Sequence, residues 1–170
     1  DDAMWYRGNN TVRAYETGED GKLRAASPGI LDIRNRFVRL MASRPKVAAV
    51  LAGDEHGYHR LLVDRRVPLG DPPRDDRDGD GRIEWPEEPC SPLADLGHPV
   101  LYFISGGAGA PYYAEETTPW TAWWRERQKE GQDRHGFRSS SQENILIFTA
   151  SETRLTFEAV NPYGEVIDSG

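Results

Sequence analysis

The chain has 170 residues, a length typical of one domain and sufficient to bury a hydrophobic core. With 37% hydrophobic and 29% charged residues it has the composition of a globular protein, not a disordered one. The net charge of -7 and the lack of a basic stripe in the sequence argue against binding to nucleic acid. Cys90 is the one cysteine, so no disulfide can form within the chain. No apolar run approaches the roughly eighteen residues that a membrane span requires.

A helix followed by a strand is the first regular pattern along the chain. Ser27 and Pro28 are typical of a helix N-cap followed by proline in the first turn. Apolar residues then recur at helical spacing, and we expect one buried face from Ile30, Ile33, Phe37, Leu40 and Met41. The apolar run 46–52 predicts a short, fully buried strand that is closed by Gly53. This succession indicates an α/β unit.

Further strands are predicted at residues 60–67 and 99–105, and the second runs into the glycine-rich turn GGAGA. A second helix is predicted to begin at Thr118 and Pro119. Its three tryptophans either pack the helix down, which we favour, or line a substrate rim. Two closing strands, 144–151 and 154–160, are separated by so few residues that an antiparallel hairpin is expected.

The stretch 76–87, DRDGDGRIEWPE, matches the spacing of a calcium-binding loop. A hard dication takes about six to eight oxygens, which alternate residues of a tight loop supply, and a final glutamate closes the shell. The predicted ligands are Asp76, Asp78, Asp80, the backbone carbonyl of Arg82, Glu84 through a water, and Glu87. Flanking prolines hinder the paired helices of a calcium sensor, so we expect an isolated structural loop. A solvated acidic loop is the alternative interpretation.

The stretch 51–60, LAGDEHGYHR, places several titratable side chains directly after the predicted strand at 46–52. In open α/β sheets, ligands bind beyond the carboxyl ends of strands. Asp54, His56 and His59 therefore form a candidate site for zinc, iron or manganese, whose ligands are carboxylates and imidazoles. A hydrogen-bonded surface loop without metal is the alternative.

The segment KVAAVLAGDEHGYHR resembles the calcineurin-like metallophosphoesterases, a superfamily that includes the purple acid phosphatases. In that family a helix and a buried strand lead into a Gly-His-x-His motif, often followed by x-Tyr-x-Arg. The matching residues are Gly53, His56, Tyr58 and Arg60. Residues 99–113 and 144–168 resemble the closing region of the family, with its glycine-rich turn, two last strands and final tail.

The resemblance implies a fold of the α/β class. It would be the carboxyl-terminal part of a metallophosphoesterase-type β-sandwich flanked by helices, with a mixed sheet ending in an antiparallel hairpin. Residues 1–170 would form a single partial domain, with the calcium-loop segment inserted at about residues 70–92. The earlier ligand motifs of the family do not occur in the sequence. We therefore expect the chain to be incomplete and inactive alone, and to expose a sheet edge and an apolar face for a missing amino-terminal half.

The resemblance also implies a dinuclear site of divalent or trivalent iron, manganese or zinc. His56 takes the place of the second motif histidine, and Asp54 stands where the family has the first. His59 or Arg60 would contact the phosphate or leaving group, although loop packing and surface salt bridges are favoured for both. His98 and His135 lie beside proline or glycine, where surface or hydrogen-bonded roles are favoured over metal ligation.

The expected function is hydrolysis of a small-molecule phosphoester by two metal ions when the enzyme is full-length. Calcium would be a second, structural cofactor, and its weak isolated loop favours a secreted or periplasmic location. The alternative function is that of a non-catalytic, calcium-stabilised binding or interaction module.

Overall fold

The computed structural model describes residues 15–25, 28–53, 55–64, 76–81, 97–111 and 137–170. Within these residues the chain forms a hairpin, one helix and two larger β-sheets. The predicted mixed α/β class is confirmed, with strands predominating over helix. None of the described helical residues form a helix long and apolar enough to cross a membrane.

The described elements fall into three groups. Strands β1 (Tyr15–Thr17) and β2 (Leu23–Ala25) form an antiparallel hairpin, which precedes helix α1 (Pro28–Ala42). A mixed sheet contains β3 (Ala49–Ala52), β4 (Tyr58–Val63), β5 (Val100–Ser105) and β6 (Phe137–Ser140), in the order β3-β5-β4-β6. An antiparallel sheet contains β7 (Ile145–Ala150), β8 (Leu155–Val160) and β9 (Val166–Ser169).

The start of α1 at Pro28 confirms the predicted helix, but three of the five residues predicted on its buried face are exposed. Met41 is half-buried, and the side chain of Ile30 lies outside the described residues. Ile33, Phe37 and Leu40 are 61%, 44% and 48% exposed. The buried positions are Val38 and Ala42. They lie about a third of a turn around the helix axis from the face that was predicted to be buried. Gly97 approaches the carbonyl of Ala42 so closely that a side chain there would collide with it. Helical spacing identifies an apolar stripe, but it does not identify the side on which the rest of the chain packs.

Strand β3 is an edge strand within the described residues, so the prediction of a fully buried strand is also wrong. It pairs in parallel with β5, from Ala49 opposite Leu101 to Ala52 opposite Ile104. Leu51 is 60% exposed. A continuous apolar run does not distinguish a central strand from one whose second edge is open.

The predicted strand at 99–105 and the closing hairpin are confirmed. Strands β7 and β8 pair antiparallel from Ile145 opposite Val160 to Ala150 opposite Leu155. The sequence predicts that this hairpin ends the mixed sheet, and that prediction is wrong. The hairpin belongs with β9 to the separate antiparallel sheet. The predicted helix at Thr118 and its tryptophans lie outside the described residues.

Aromatic side chains join the two larger sheets. Phe103 of β5 packs edge-on against Phe157 of β8, with ring centroids 4.8 Å apart, and against Phe148 of β7 at 5.3 Å. Tyr58 and Ala159 complete this buried cluster and are 1% and 0% exposed. Aromatic pairs of this kind contribute about 0.5–1.5 kcal/mol each beyond the area that they bury.

A buried polar cluster, formed by Tyr58, Arg60 and Asp168, also joins the two sheets. Arg60 of β4 donates from Nε to Asp168 Oδ2 at 2.6 Å and from Nη2 to Oδ1 at 3.1 Å. The Tyr58 hydroxyl donates to the same Oδ2 at 2.7 Å. Arg60 is 3% exposed and Asp168 of β9 is 9% exposed. We call these three residues the Asp168 cluster; its charges are neutralised only when the two sheets are packed together.

Removing the carboxylate of the Asp168 cluster is expected to destabilise the protein strongly. In Asp168→Ala the buried Arg60 guanidinium loses the carboxylate that accepts two of its hydrogen bonds, which costs about 3–5 kcal/mol of unfolding free energy. Urea denaturation followed by tryptophan fluorescence measures the change. Asp20→Ala, which breaks the exposed pair with Arg24, is the control and should leave the midpoint unchanged. Equal midpoints for Asp168→Ala and the parent protein would contradict the assigned role.

The Asp168 cluster also predicts loss of stability in alkali. Burial, reinforced by the hydrogen bond to Asp168, raises the pKa of Tyr58 well above the ordinary tyrosine value of 10.0. The unfolded chain therefore releases this proton at lower pH than the folded chain. The stabilisation is complete below about pH 10 and is lost above it, by up to about 1.4 kcal/mol per pH unit.

Urea denaturation of the parent protein and of Tyr58→Phe between pH 8 and pH 11.5 tests this expectation. Phenylalanine cannot ionise, so the variant should lose less stability across the alkaline range. Tyr163→Phe changes an 89% exposed tyrosine, so its unfolding free energy should fall with pH at the same slope as that of the parent protein. A Tyr58→Phe slope identical to that of the parent would contradict the prediction.

Candidate functional site

The candidate site lies at the edge of the mixed sheet where β3 and β5 end. Because these strands are parallel, their carboxyl ends meet at the same edge. We call residues 53–57, which follow β3, the ligand loop, and residues 105–111, at the end of β5, the glycine-rich turn. Asp54 lies outside the described residues, whereas His56 is described and half-buried.

Two hydrogen bonds join the ligand loop to the glycine-rich turn. The amide of Gly106 donates to the carbonyl of Gly57 at 3.3 Å. Nδ1 of His56 lies 2.9 Å from the carbonyl oxygen of Pro111. A carbonyl oxygen only accepts, so Nδ1 carries the proton and the lone pair of the neutral ring lies on Nε2. A metal-binding histidine commonly donates its other ring nitrogen to a backbone carbonyl in this way.

The Asp168 cluster fixes the start of β4 directly after the ligand loop. Side chains alternate along a strand, so Tyr58 and Arg60 point to one face and His59 to the other. Both inward residues belong to the sequence motif, and both bind Asp168. The packing role that was favoured for Arg60 fits this arrangement. Its salt bridge to Asp168 is buried, however, whereas the sequence predicts one at the surface. A contact of Arg60 or of the half-buried His59 with phosphate stays a prediction.

A second polar group supports the glycine-rich turn. The hydroxyl of Ser105 donates to Asn144 Oδ1 at 2.8 Å, and Asn144 Nδ2 donates to the carbonyl of Gln142 at 3.0 Å. Gly107 passes so close to this amide that a β-carbon would collide with it. Gly109 has a φ of 73°, which favours glycine and agrees with the tight turn predicted for this segment.

Sequence reasoning did not single out Asp168 or Asn144. Asp168 lies 108 residues from Arg60 along the chain. One signal was present, because an acidic residue in the short apolar strand β9 has to find a partner if it faces inward. Nothing in the sequence, however, identifies that partner.

The structure brings the first three predicted calcium ligands together. One carboxylate oxygen from each of Asp76, Asp78 and Asp80 lies within 4.8 Å of the others. Asp76 is buried, whereas the other two are exposed. The remaining predicted ligands, Arg82, Glu84 and Glu87, lie outside the described residues. The described triad is suited to a cation but does not identify which one.

His98 lies at the opposite end of β5 from the glycine-rich turn. The strand separates the two by about 20 Å. Nε2 of His98 donates to the carbonyl of Val47 at 2.9 Å, as favoured for this residue in the sequence. His135 lies outside the described residues. His98 therefore makes the same kind of hydrogen bond as His56 but lies far from the ligand loop.

Comparison of the chain with protein-family models, curated proteins and solved structures finds no match. Two places in the described residues thus remain as candidates on their own geometry. One is the ligand loop with its glycine-rich turn, and the other is the aspartate triad of residues 76–80.

Substitution of Gly107 tests the packing of the glycine-rich turn. Gly107→Ala is expected to destabilise the protein by about 1–3 kcal/mol, since the new methyl group collides with Asn144 and the backbone of Gln142. Gly53→Ala is the control, because no atom of the described residues lies within 4 Å of a β-carbon there. Thermal unfolding measures both. Equal unfolding temperatures for the two variants would contradict the close packing.

Proposed function

We propose that this chain contributes two metal ligands, Asp54 and His56, to the dinuclear centre of a calcineurin-like phosphoesterase. The hydrogen bond from His56 Nδ1 to the carbonyl of Pro111 carries the proposal, because it places the ring lone pair on Nε2. The position of the ligand loop gives further support. It follows β3 at the edge where β5 also ends, which is where open α/β sheets bind ligands.

The contacts between distant segments also support the proposal. Three parts of the sequence resemble the metallophosphoesterases: the histidine motif, the glycine-rich turn and the final tail. The first contacts the second through His56 and Pro111, and the third through Tyr58, Arg60 and Asp168. Segments that a family uses for one site are expected to lie against one another, as these do.

Two ligands are too few for two metal ions, since each ion takes about four or more donors. The proposal therefore assigns the remaining ligands to an amino-terminal part of the same domain. Among the described strands, β3 pairs only with β5, and Leu51 on it is 60% exposed. Ile33 and Phe37 add an exposed apolar face on α1. An open strand edge and an apolar face are surfaces that further parts of a domain cover.

The proposed substrate is a small-molecule phosphoester. Asp54 and His56 would hold metal ions, which would supply an activated water and neutralise charge on the phosphate oxygens. Pro111 holds the His56 ring so that Nε2 is presented as a ligand, and Asp54 supplies a carboxylate oxygen. Such a nitrogen and oxygen set suits iron, manganese or zinc. His59 is the candidate for contact with the leaving group.

The decisive variant is His56→Asn. The asparagine amide can still donate to the carbonyl of Pro111, but the variant lacks Nε2. We expect a loss of about 100-fold or more in kcat/KM for p-nitrophenyl phosphate, with little change in the unfolding temperature. The assay uses the gene product that contains these residues and the segment preceding them, loaded with manganese. Asp54→Asn should also lower the manganese content of this gene product.

The matched control is His98→Gln, whose amide keeps the hydrogen bond to Val47 in the same manner. A structural role for both histidines predicts equal, small effects on activity, and that result would contradict the proposal. Absence of phosphoesterase activity with manganese, iron and zinc would also contradict it. Bound calcium in such an inactive protein would instead favour the non-catalytic, calcium-stabilised module.

A further inference from the structure

The acidic loop at residues 76–81 contains a buried carboxylate oxygen to which none of the described residues donates a hydrogen bond. Asp76 is 8% exposed, and its Oδ2 accepts a hydrogen bond from the amide of Gly81 at 3.1 Å. Within the described part of the chain, no donor reaches the buried Oδ1. Burying such an oxygen without a partner is unfavourable, since it has given up its hydration. A cation would supply the missing interaction.

The other carboxylates of the triad are arranged to share that cation. Oxygens from Asp76, Asp78 and Asp80 lie within 4.8 Å of one another. Calcium binds oxygens at about 2.3–2.6 Å, so ligands on one shell are separated by at most about 5 Å. Gly79 and Gly81 have φ values of 75° and 86°, which let the loop curl so that alternate side chains converge.

The donor types select a hard cation. The triad offers only carboxylate oxygens, which suit calcium or magnesium better than zinc. The sequence adds Glu87 at the position where a calcium loop closes its shell with two oxygens. Magnesium holds its waters and prefers a smaller octahedral shell, so the full sequence pattern favours calcium.

The loop also touches the amino-terminal hairpin. The carbonyl of Gly21 occupies the space beside Gly81 where a side chain would otherwise lie. Gly21 belongs to the turn between β1 and β2, and its amide donates to the carbonyl of Gly18 at 2.9 Å. A two-stranded hairpin is only marginally stable by itself. Its order therefore depends on the surfaces that pack against it, and Gly81 is one of them.

We propose that the aspartate triad of residues 76–80 binds one calcium ion and that this binding orders the β1–β2 hairpin through the contact of Gly81 with Gly21. Without a cation, mutual repulsion between three clustered carboxylates opposes the curled loop. The bound ion removes that repulsion and fixes the backbone at Gly81. The affinity should be in the range of about 10⁻⁴ to 10⁻³ M that calcium sites of extracellular modules show, which agrees with a secreted or periplasmic location.

Calorimetric titration of the EDTA-treated chain with calcium chloride tests the site. We expect one ion per chain. Asp76→Asn and Glu87→Gln should each weaken binding by about tenfold or more, because each removes a predicted ligand charge. Glu88→Gln is the matched control, since it removes the same charge one residue outside the ligand pattern, and its affinity should stay within about twofold of the parent. Near-UV circular dichroism establishes that each variant is folded.

Amide hydrogen exchange tests the coupling to the hairpin. The amides of Gly18 and Gly21 should exchange about tenfold more slowly when calcium is bound. The amide of Ser151, which donates to Arg154 in the turn between β7 and β8, is the internal control and should not change. This readout is independent of phosphoester hydrolysis, so it can succeed or fail separately from the proposed function.

Four results would overturn the proposal. A folded chain that binds no calcium at about 10 mM refutes the site, as does equal affinity for magnesium and calcium. Equal weakening by Glu87→Gln and Glu88→Gln would show attraction to a generally acidic surface. Calcium binding that leaves Gly18 and Gly21 exchange unchanged would refute the coupling.

Discussion

The buried ion pair between Arg60 and Asp168 is the constraint on which the arrangement of the two larger sheets depends. A buried guanidinium is tolerable only when its charge and its hydrogen-bond donors are matched, and here two of the donors go to one carboxylate. The partners lie on different sheets, so the match exists only in the packed molecule. Tyr58 adds a third hydrogen bond to the same carboxylate and contributes its ring to the aromatic core. Electrostatics and packing therefore specify the same position for β4.

This constraint extends to the ligand loop because Gly57 directly precedes Tyr58. The loop is fixed at one end by β4 and is bonded to the glycine-rich turn through Gly57 and His56. A metal ligand has to be held in place before the ion arrives, and attachment at both sides supplies that rigidity. The tyrosine and arginine of the motif thus hold the start of β4 next to the loop, while the histidine is the proposed metal ligand. The aspartate triad is a separate feature, and Gly81, which directly follows it, lies against Gly21 of the β1–β2 hairpin.

Features that depend on nearby residues could be predicted from the sequence. The start of α1, strand β5 and the β7–β8 hairpin follow from local signals, and the aspartate triad converges because its members are two residues apart. The buried side of α1, the edge position of β3 among the described strands and the buried partner of Arg60 depend on residues far along the chain, so periodicity could not predict them. The motif identified His56 as a candidate metal ligand. Its tautomer depends on the contact with Pro111 and could be assigned only from the structure. The burial of Asp76 and the contact of Gly81 with Gly21 could likewise not be predicted from the loop pattern.

The central claim is that His56 presents Nε2 to a metal ion while Nδ1 is held by the glycine-rich turn. Anomalous diffraction at the manganese absorption edge tests it most directly, using crystals of the gene product that contains this chain. The account predicts a peak about 2.0–2.2 Å from His56 Nε2 with the hydrogen bond to Pro111 intact. Manganese bound elsewhere, with the His56 side chain directed away from it, would contradict the account.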